Sequence, residues 1–120
     1  MKGKILIVED ELIFAADLKI TLERMGFKVC GIAKSVDQAL NLLQTQEPDI
    51  VLLDIYLKDR SGLELLDFIK KNYPEIKAIM LTNQSSDNYK NLCEKIGSDH
   101  FIDKSSEFEN LTGIIESYHI

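Results

Sequence analysis

Apolar residues in this chain fall into two alternating kinds of run. Short continuous ones lie at Ile5–Val8, Val29–Ala33, Ile50–Leu53, Ala78–Leu81 and Phe101–Ile102. Between and after them, apolar residues recur three or four apart. These sets are Ala15, Leu18, Leu22 and Met25; Val36, Ala39, Leu40 and Leu43; Leu65, Leu66 and Ile69; Tyr89, Leu92, Cys93 and Ile96; and Phe108, Leu111, Ile115 and Tyr118. Continuous runs of this length predict buried strands, and the wider spacing predicts helices with one face on a core.

The boundary residues agree with this division. Ser35, Ser61 and Ser106 are each followed three residues later by Gln38, Glu64 and Glu109, the capping-box pattern that opens a helix. Gly26 and Gly97 stand where a helix closes in the left-handed conformation. Pro74 restricts Tyr73 and ends the third helix. Strand and helix thus alternate five times. That order predicts an α/β fold, a doubly wound five-stranded parallel sheet of the flavodoxin-like kind with helices on both faces. The expected strand order is 2-1-3-4-5, and a site is expected at the carboxyl ends of the strands, near the topological switch.

The residues at those ends carry the chemistry. The first strand delivers Glu9 and Asp10, the third Asp54, the fourth Thr82 and Asn83, and the fifth Asp103 and Lys104. With strands 1 and 3 adjacent, Glu9, Asp10 and Asp54 face one another across a crevice flanked by Thr82 and Lys104. Clustered carboxylates repel unless a cation sits among them. Three oxygen donors suit a hard cation such as Mg²⁺ (or Mn²⁺). The Lys104 ammonium and the Thr82 hydroxyl suit a phosphoryl group held in the same crevice. Glu11, also at this end, reads as a solvated first-turn charge favoured by the helix dipole. Asp10 has a second reading, as the cap of the first helix.

Composition narrows the options further. The chain has 120 residues, 45% hydrophobic and 28% charged, which predicts one soluble domain over residues 1–120. A net charge of −6 argues against direct nucleic-acid binding. No secretory leader and no apolar run long enough for a membrane span is visible, so a cytoplasmic location is expected. Cys30 and Cys93 lie in apolar patterns and are expected as buried, reduced thiols. His100 and His119 have no ligand-like spacing to any Cys, Asp or Glu, which makes zinc improbable. Flavin phosphate needs free backbone N–H groups after the first strand, and "EDEL" there would repel it. A dinucleotide needs GxGxxG after a strand, which is absent.

Four stretches in order then become specific: "ILIVED", "PDIVLLDIYLKDRSGLELL" with Gly62 eight residues after Asp54, "IMLTN", and "HFIDKS". Over nearly its whole length the chain resembles the receiver domain of two-component response regulators. The resemblance implies a phosphoprotein in phosphorelay signal transduction, a switch rather than a turnover enzyme. Asp54 would accept a phosphoryl group from a sensor histidine kinase or a histidine phosphotransferase. Glu9, Asp10 and Asp54 would hold Mg²⁺, with the Tyr56 backbone carbonyl as a further ligand. Lys104 and Thr82 would contact the phosphoryl oxygens. Thr82 and Phe101 would carry the change to the surface of helix 4, strand 5 and helix 5, read by a downstream effector protein or domain. The alternative is a degenerate receiver acting only as a protein-interaction module, which loss of one of these residues would favour.

Two positions depart from the family pattern. Lys58 replaces the usual proline after Asp54, which predicts a freer loop with Lys58 solvated. Ser105 replaces the proline after Lys104, which predicts a trans bond there, since a cis bond before a non-proline residue costs about 3–4 kcal/mol. By analogy with the family, Tyr56 and Gln84 would line the approach of a hydrolytic water. A bulky neutral phenol there predicts slow self-dephosphorylation.

Overall fold

Every strand of the chain ends at the same edge of the sheet, and that alignment sets the rest of the architecture. The computed structural model describes residues 3–83, 87–104 and 108–118. Five parallel strands, β1 (Lys4–Val8), β2 (Lys28–Ala33), β3 (Ile50–Asp54), β4 (Lys77–Thr82) and β5 (His100–Asp103), form one sheet in the order β2-β1-β3-β4-β5. They alternate with helices α1 (Leu12–Arg24), α2 (Val36–Gln46), α3 (Gly62–Asn72), α4 (Asp87–Ile96) and α5 (Phe108–Ser117). The expected fold class and strand order are what the structure has. Val8 pairs with Leu53, Asp54 with Leu81, and Thr82 with Asp103, which places the chemically active strand ends side by side.

Alternation along the strands divides the core between the faces of the sheet. Leu6, Val8, Val51, Leu53, Ala78 and Met80 pack with Val36, Ala39, Leu43, Leu65, Leu66, Ile69 and Cys93 of α2, α3 and α4. Ile5, Ile7, Ile50, Leu52, Ile79, Leu81 and Ile102 pack with Ala15, Leu18, Leu22, Leu111 and Ile115 of α1 and α5. Because β3 is buried on both faces, all five of its residues are buried. This two-sided burial explains why its sequence is a continuous apolar run ending in one aspartate.

Helix ends follow local chemistry. Ser35 and Ser61 are N-caps, accepting hydrogen bonds from the N–H groups of Gln38 and Leu63. Gln38 reaches back to the N–H of Lys34, one residue earlier than an ideal capping box. α1 starts differently from the expectation: Glu11, not Asp10, is at its N-cap and makes no side-chain cap bond. Gly26 and Gly97 have positive φ, at 94° and 120°. Cys93 is buried, but Cys30 is only partly so. Cys30 falls where the β1–β2 register shifts, and its thiol turns to the Ile5 carbonyl. Leu92, expected in the core, is exposed, leaving Cys93 as the one buried residue of α4. The expected cap at Ser106 and the Lys104–Ser105 bond lie outside the described residues.

Candidate functional site

Five buried polar or charged side chains stand out among the described residues: Glu9, Asp54, Thr82, Asp103 and Lys104. All five lie at or just past the carboxyl ends of β1, β3, β4 and β5. Burying charge is costly unless it is paired, so their arrangement needs an explanation.

Lys104 sits at the centre. Its ammonium donates to Glu9 Oε1, lies 3.3 Å from Asp54 Oδ2, and is 3.7 Å from Glu11 Oε1. The Phe14 ring of α1 lies under it, 4.6 Å from Nζ to the ring centroid. The backbone brings it there: the Lys104 N–H donates to the Thr82 carbonyl at 2.9 Å, which continues the β4–β5 ladder past its end. Burial pulls the Lys104 pKa down, but the bond to Glu9 and the charges of Asp54, Glu9 and Glu11 outweigh this and leave it raised. Lys104 is therefore a fixed cation at neutral pH.

Glu9 and Asp54 are pushed the other way from ordinary carboxylates. Burial raises the pKa of both, and Lys104 only partly offsets it. The charge of Asp10 adds to the upward push on Asp54. Each carboxylate is also held by backbone: Glu9 Oε2 accepts from the Glu11 N–H at 3.0 Å, and Asp54 Oδ1 from the Tyr56 N–H at 3.3 Å.

One carboxylate oxygen each from Glu9, Glu11 and Asp54 lie within 4.8 Å of one another. Three negative charges face a single ammonium. The surplus is negative, and the donors are hard oxygens, so this set fits a divalent cation of the Mg²⁺ kind. The structure thus brings Glu9, Asp54 and Lys104 together as the sequence pattern suggests. It also adds Glu11, which the pattern treats as solvated. Glu11 Oε1 further accepts from Asn83 Nδ2 at 3.3 Å. Asp10 is half-buried beside this group and is not one of its three members.

Thr82 is fully buried at the end of β4. Phe101 is half-buried against the α2, α3 and α4 side of the core. Tyr56 is 43% exposed, and its ring meets Tyr89 of α4 edge-on, with centroids 6.0 Å apart. A hydrogen bond with Tyr89 raises the Tyr56 pKa, so the phenol is neutral at pH 7. Lys58 is exposed, as expected. Gln84 lies outside the described residues. Gly62 closes the loop after β3: its N–H donates to the Ile55 carbonyl at 2.6 Å, and a Cβ there would lie 2.0 Å from the Asp54 carbonyl oxygen. No side chain fits that approach, which is why a glycine stands at the start of α3.

Residues 5–116 match the family model described as response regulator receiver domain. Solved structures agree. A CheY-like response regulator receiver domain protein from Methanospirillum hungatei JF-1 is 29% identical, with a TM-score of 0.88 over 97% of this chain and 92% of the other. The BeF3-activated N-terminal receiver domain of Klebsiella pneumoniae RstA is 25% identical, with a TM-score of 0.87 over 94% of this chain and 95% of the other. A LuxR-family two-component response regulator from Aurantimonas sp. SI85-9A1 shares the fold, with a TM-score of 0.90 at 24% identity over 98% of this chain and 84% of the other.

Proposed function

Because this chain belongs to the response regulator receiver domain family, we propose that it is a phosphoacceptor switch in which Asp54 takes a phosphoryl group from a phosphohistidine. Receiver domains are switch domains rather than turnover enzymes, and they work between sensor kinases and downstream effectors. The observation that carries the reading is the Lys104 ammonium shared between Glu9 and Asp54, with Glu11 completing three carboxylates around one cation.

The residues divide the work. An Asp54 carboxylate oxygen forms the bond to phosphorus as the phosphorus–nitrogen bond of the donor breaks, and the imidazole keeps the electron pair. Lys104 already lies beside Asp54, so it stabilises the charge that grows on the phosphoryl oxygens without moving far. Glu9 and Asp54, with Asp10, Glu11 and the Tyr56 carbonyl, would hold a Mg²⁺ ion, or Mn²⁺ in its place. When bound, such an ion would supply positive charge to offset that of the carboxylates and of a phosphoryl group. Thr82 then donates its hydroxyl to a phosphoryl oxygen, and Phe101 fills the space released. The equilibrium shifts toward a second arrangement of α4, β5 and α5, the surface an effector reads. Residues 1–120 would act as one domain. A cytoplasmic setting suits a kinase partner, and no helix of the described residues is long and apolar enough to cross a membrane.

Beryllofluoride, a phosphoryl mimic, tests the switch. With Mg²⁺ it is expected to shift the amide resonances of Thr82, Phe101 and α4 in the wild type and to leave them unmoved in Asp54→Asn. Unmoved resonances in the wild type would count against the reading.

A further inference from the structure

The loop after the acceptor aspartate is anchored in a way that the missing proline does not suggest. Its two sides meet: Tyr56 bridges Ser61, and the Gly62 N–H donates to the Ile55 carbonyl. Its tip, Lys58 to Arg60, is exposed. From that tip Asp59 reaches across to α2. Its Oδ1 accepts from the Val36 N–H at 3.0 Å, and its Oδ2 from the Asp37 N–H at 3.3 Å. Arg60 adds an ion pair to the Asp37 carboxylate at 2.7 Å.

Val36 and Asp37 are the first two residues of α2, whose N–H groups have no partner within the helix. Ser35 serves the third, that of Gln38, at 3.2 Å. The helix end is therefore completed by two sources: its own cap residue and a carboxylate more than twenty positions away in the chain. Since Ser35 and the end of β2 are separated by one residue, this end of α2 is tied closely to the sheet. It is a firm point from which to hold a loop.

We propose that Asp59 is a positioning residue. It latches the tip of the loop to α2 and so holds the Tyr56 segment, whose N–H touches Asp54 Oδ1, in the form the cation site needs. The proposal rests on the reading of Tyr56 and Asp54 as cation-binding positions. A residue that only capped α2 would protect the helix end without affecting the cation.

The test compares the wild type with Asp59→Ala, Asp59→Asn and Arg60→Ala. Two quantities are measured by NMR: the dissociation constant for Mg²⁺ and the hydrogen exchange of the Val36 and Asp37 amides. Asp59→Ala is expected to speed both exchanges at least tenfold and to weaken Mg²⁺ at least threefold. Asp59→Asn, which keeps one acceptor for Val36, and Arg60→Ala, which keeps the carboxylate, are expected to stay within twofold of the wild type for Mg²⁺. Faster exchange in Asp59→Ala with unchanged Mg²⁺ affinity would overturn the proposal. Should Asp59→Ala not fold, Asp59→Leu, which has no acceptor and nearly the shape of Asp, gives the same comparison. A wild type that binds Mg²⁺ but takes no phosphoryl group from acetyl phosphate would overturn the proposed function, and the Mg²⁺ comparison would still decide for or against the latch.

Discussion

Asp54 illustrates how a proposed phosphoacceptor is held at a cost. Its carboxylate is buried, with its pKa raised first by that burial, while Lys104 offsets only part of the penalty. A folded-state pKa above the unfolded value means that the folded chain holds the proton more tightly. Stability contributed by this group is therefore present at low pH and lost as pH rises through the raised value. The ionised form of Asp54 therefore weakens the metal-free fold. Asp54→Asn is expected to raise metal-free stability by about 1 kcal/mol, several degrees in Tm. Saturating Mg²⁺ should cancel the difference, and thermal unfolding with and without the ion checks both halves. Tyr56 bears on the next event. Its neutral ring, held edge-on by Tyr89, should shield an acyl phosphate on Asp54 from water. Once the donor is removed, Tyr56→Asn is expected to lose its phosphoryl group faster than the wild type; equal or slower decay would contradict shielding. At this scale Glu9, Asp54, Thr82 and Lys104 were legible because a buried strand has only one place to put a polar residue, its end. Glu11 was not legible. It follows the strand, carries no periodic signal, and joins the cluster only because the chain turns back over Glu9 at the start of α1.

Among the elements, α2 shows local and distant chemistry acting on one helix. Its start takes Ser35 from the local pattern and Asp59 from the β3–α3 loop, and only the first could be read in sequence. Its end places Glu47 in the left-handed region, with φ of 50°. A non-glycine residue there costs about 1–2 kcal/mol. Glu47→Gly is expected to recover about 0.5–1 kcal/mol, because glycine also has more freedom to lose on folding. Denaturant unfolding would measure it. The β3–α3 loop, expected to be freer without a proline, has gained other constraints in the Tyr56–Ser61 bridge and the bonds of Asp59. A contact between residues 23 apart leaves no trace in periodicity. The helix α4 departs from its pattern in the opposite direction, with Leu92 exposed and Cys93 its one buried residue. Few buried contacts mark an element that can shift at low cost, which suits the output surface proposed for it.

For the whole molecule, parallel strands and an order that reverses at β1 and β3 bring together residues from positions 9, 54 and 104. The strand order was legible because five alternating units leave few right-handed arrangements. The distances within the cluster were not, because they depend on how α1 and the β3–α3 loop settle over the sheet edge. Lys104 among three carboxylates leaves a negative surplus, which a divalent cation would offset so that Asp54 could carry a phosphoryl group. Intact mass after incubation with acetyl phosphate and Mg²⁺ tests that claim most directly. The wild type is expected to gain one phosphoryl group, and neither Asp54→Asn nor the wild type with excess EDTA should gain any. A wild type unchanged in mass, or an equal gain in Asp54→Asn, would contradict the account.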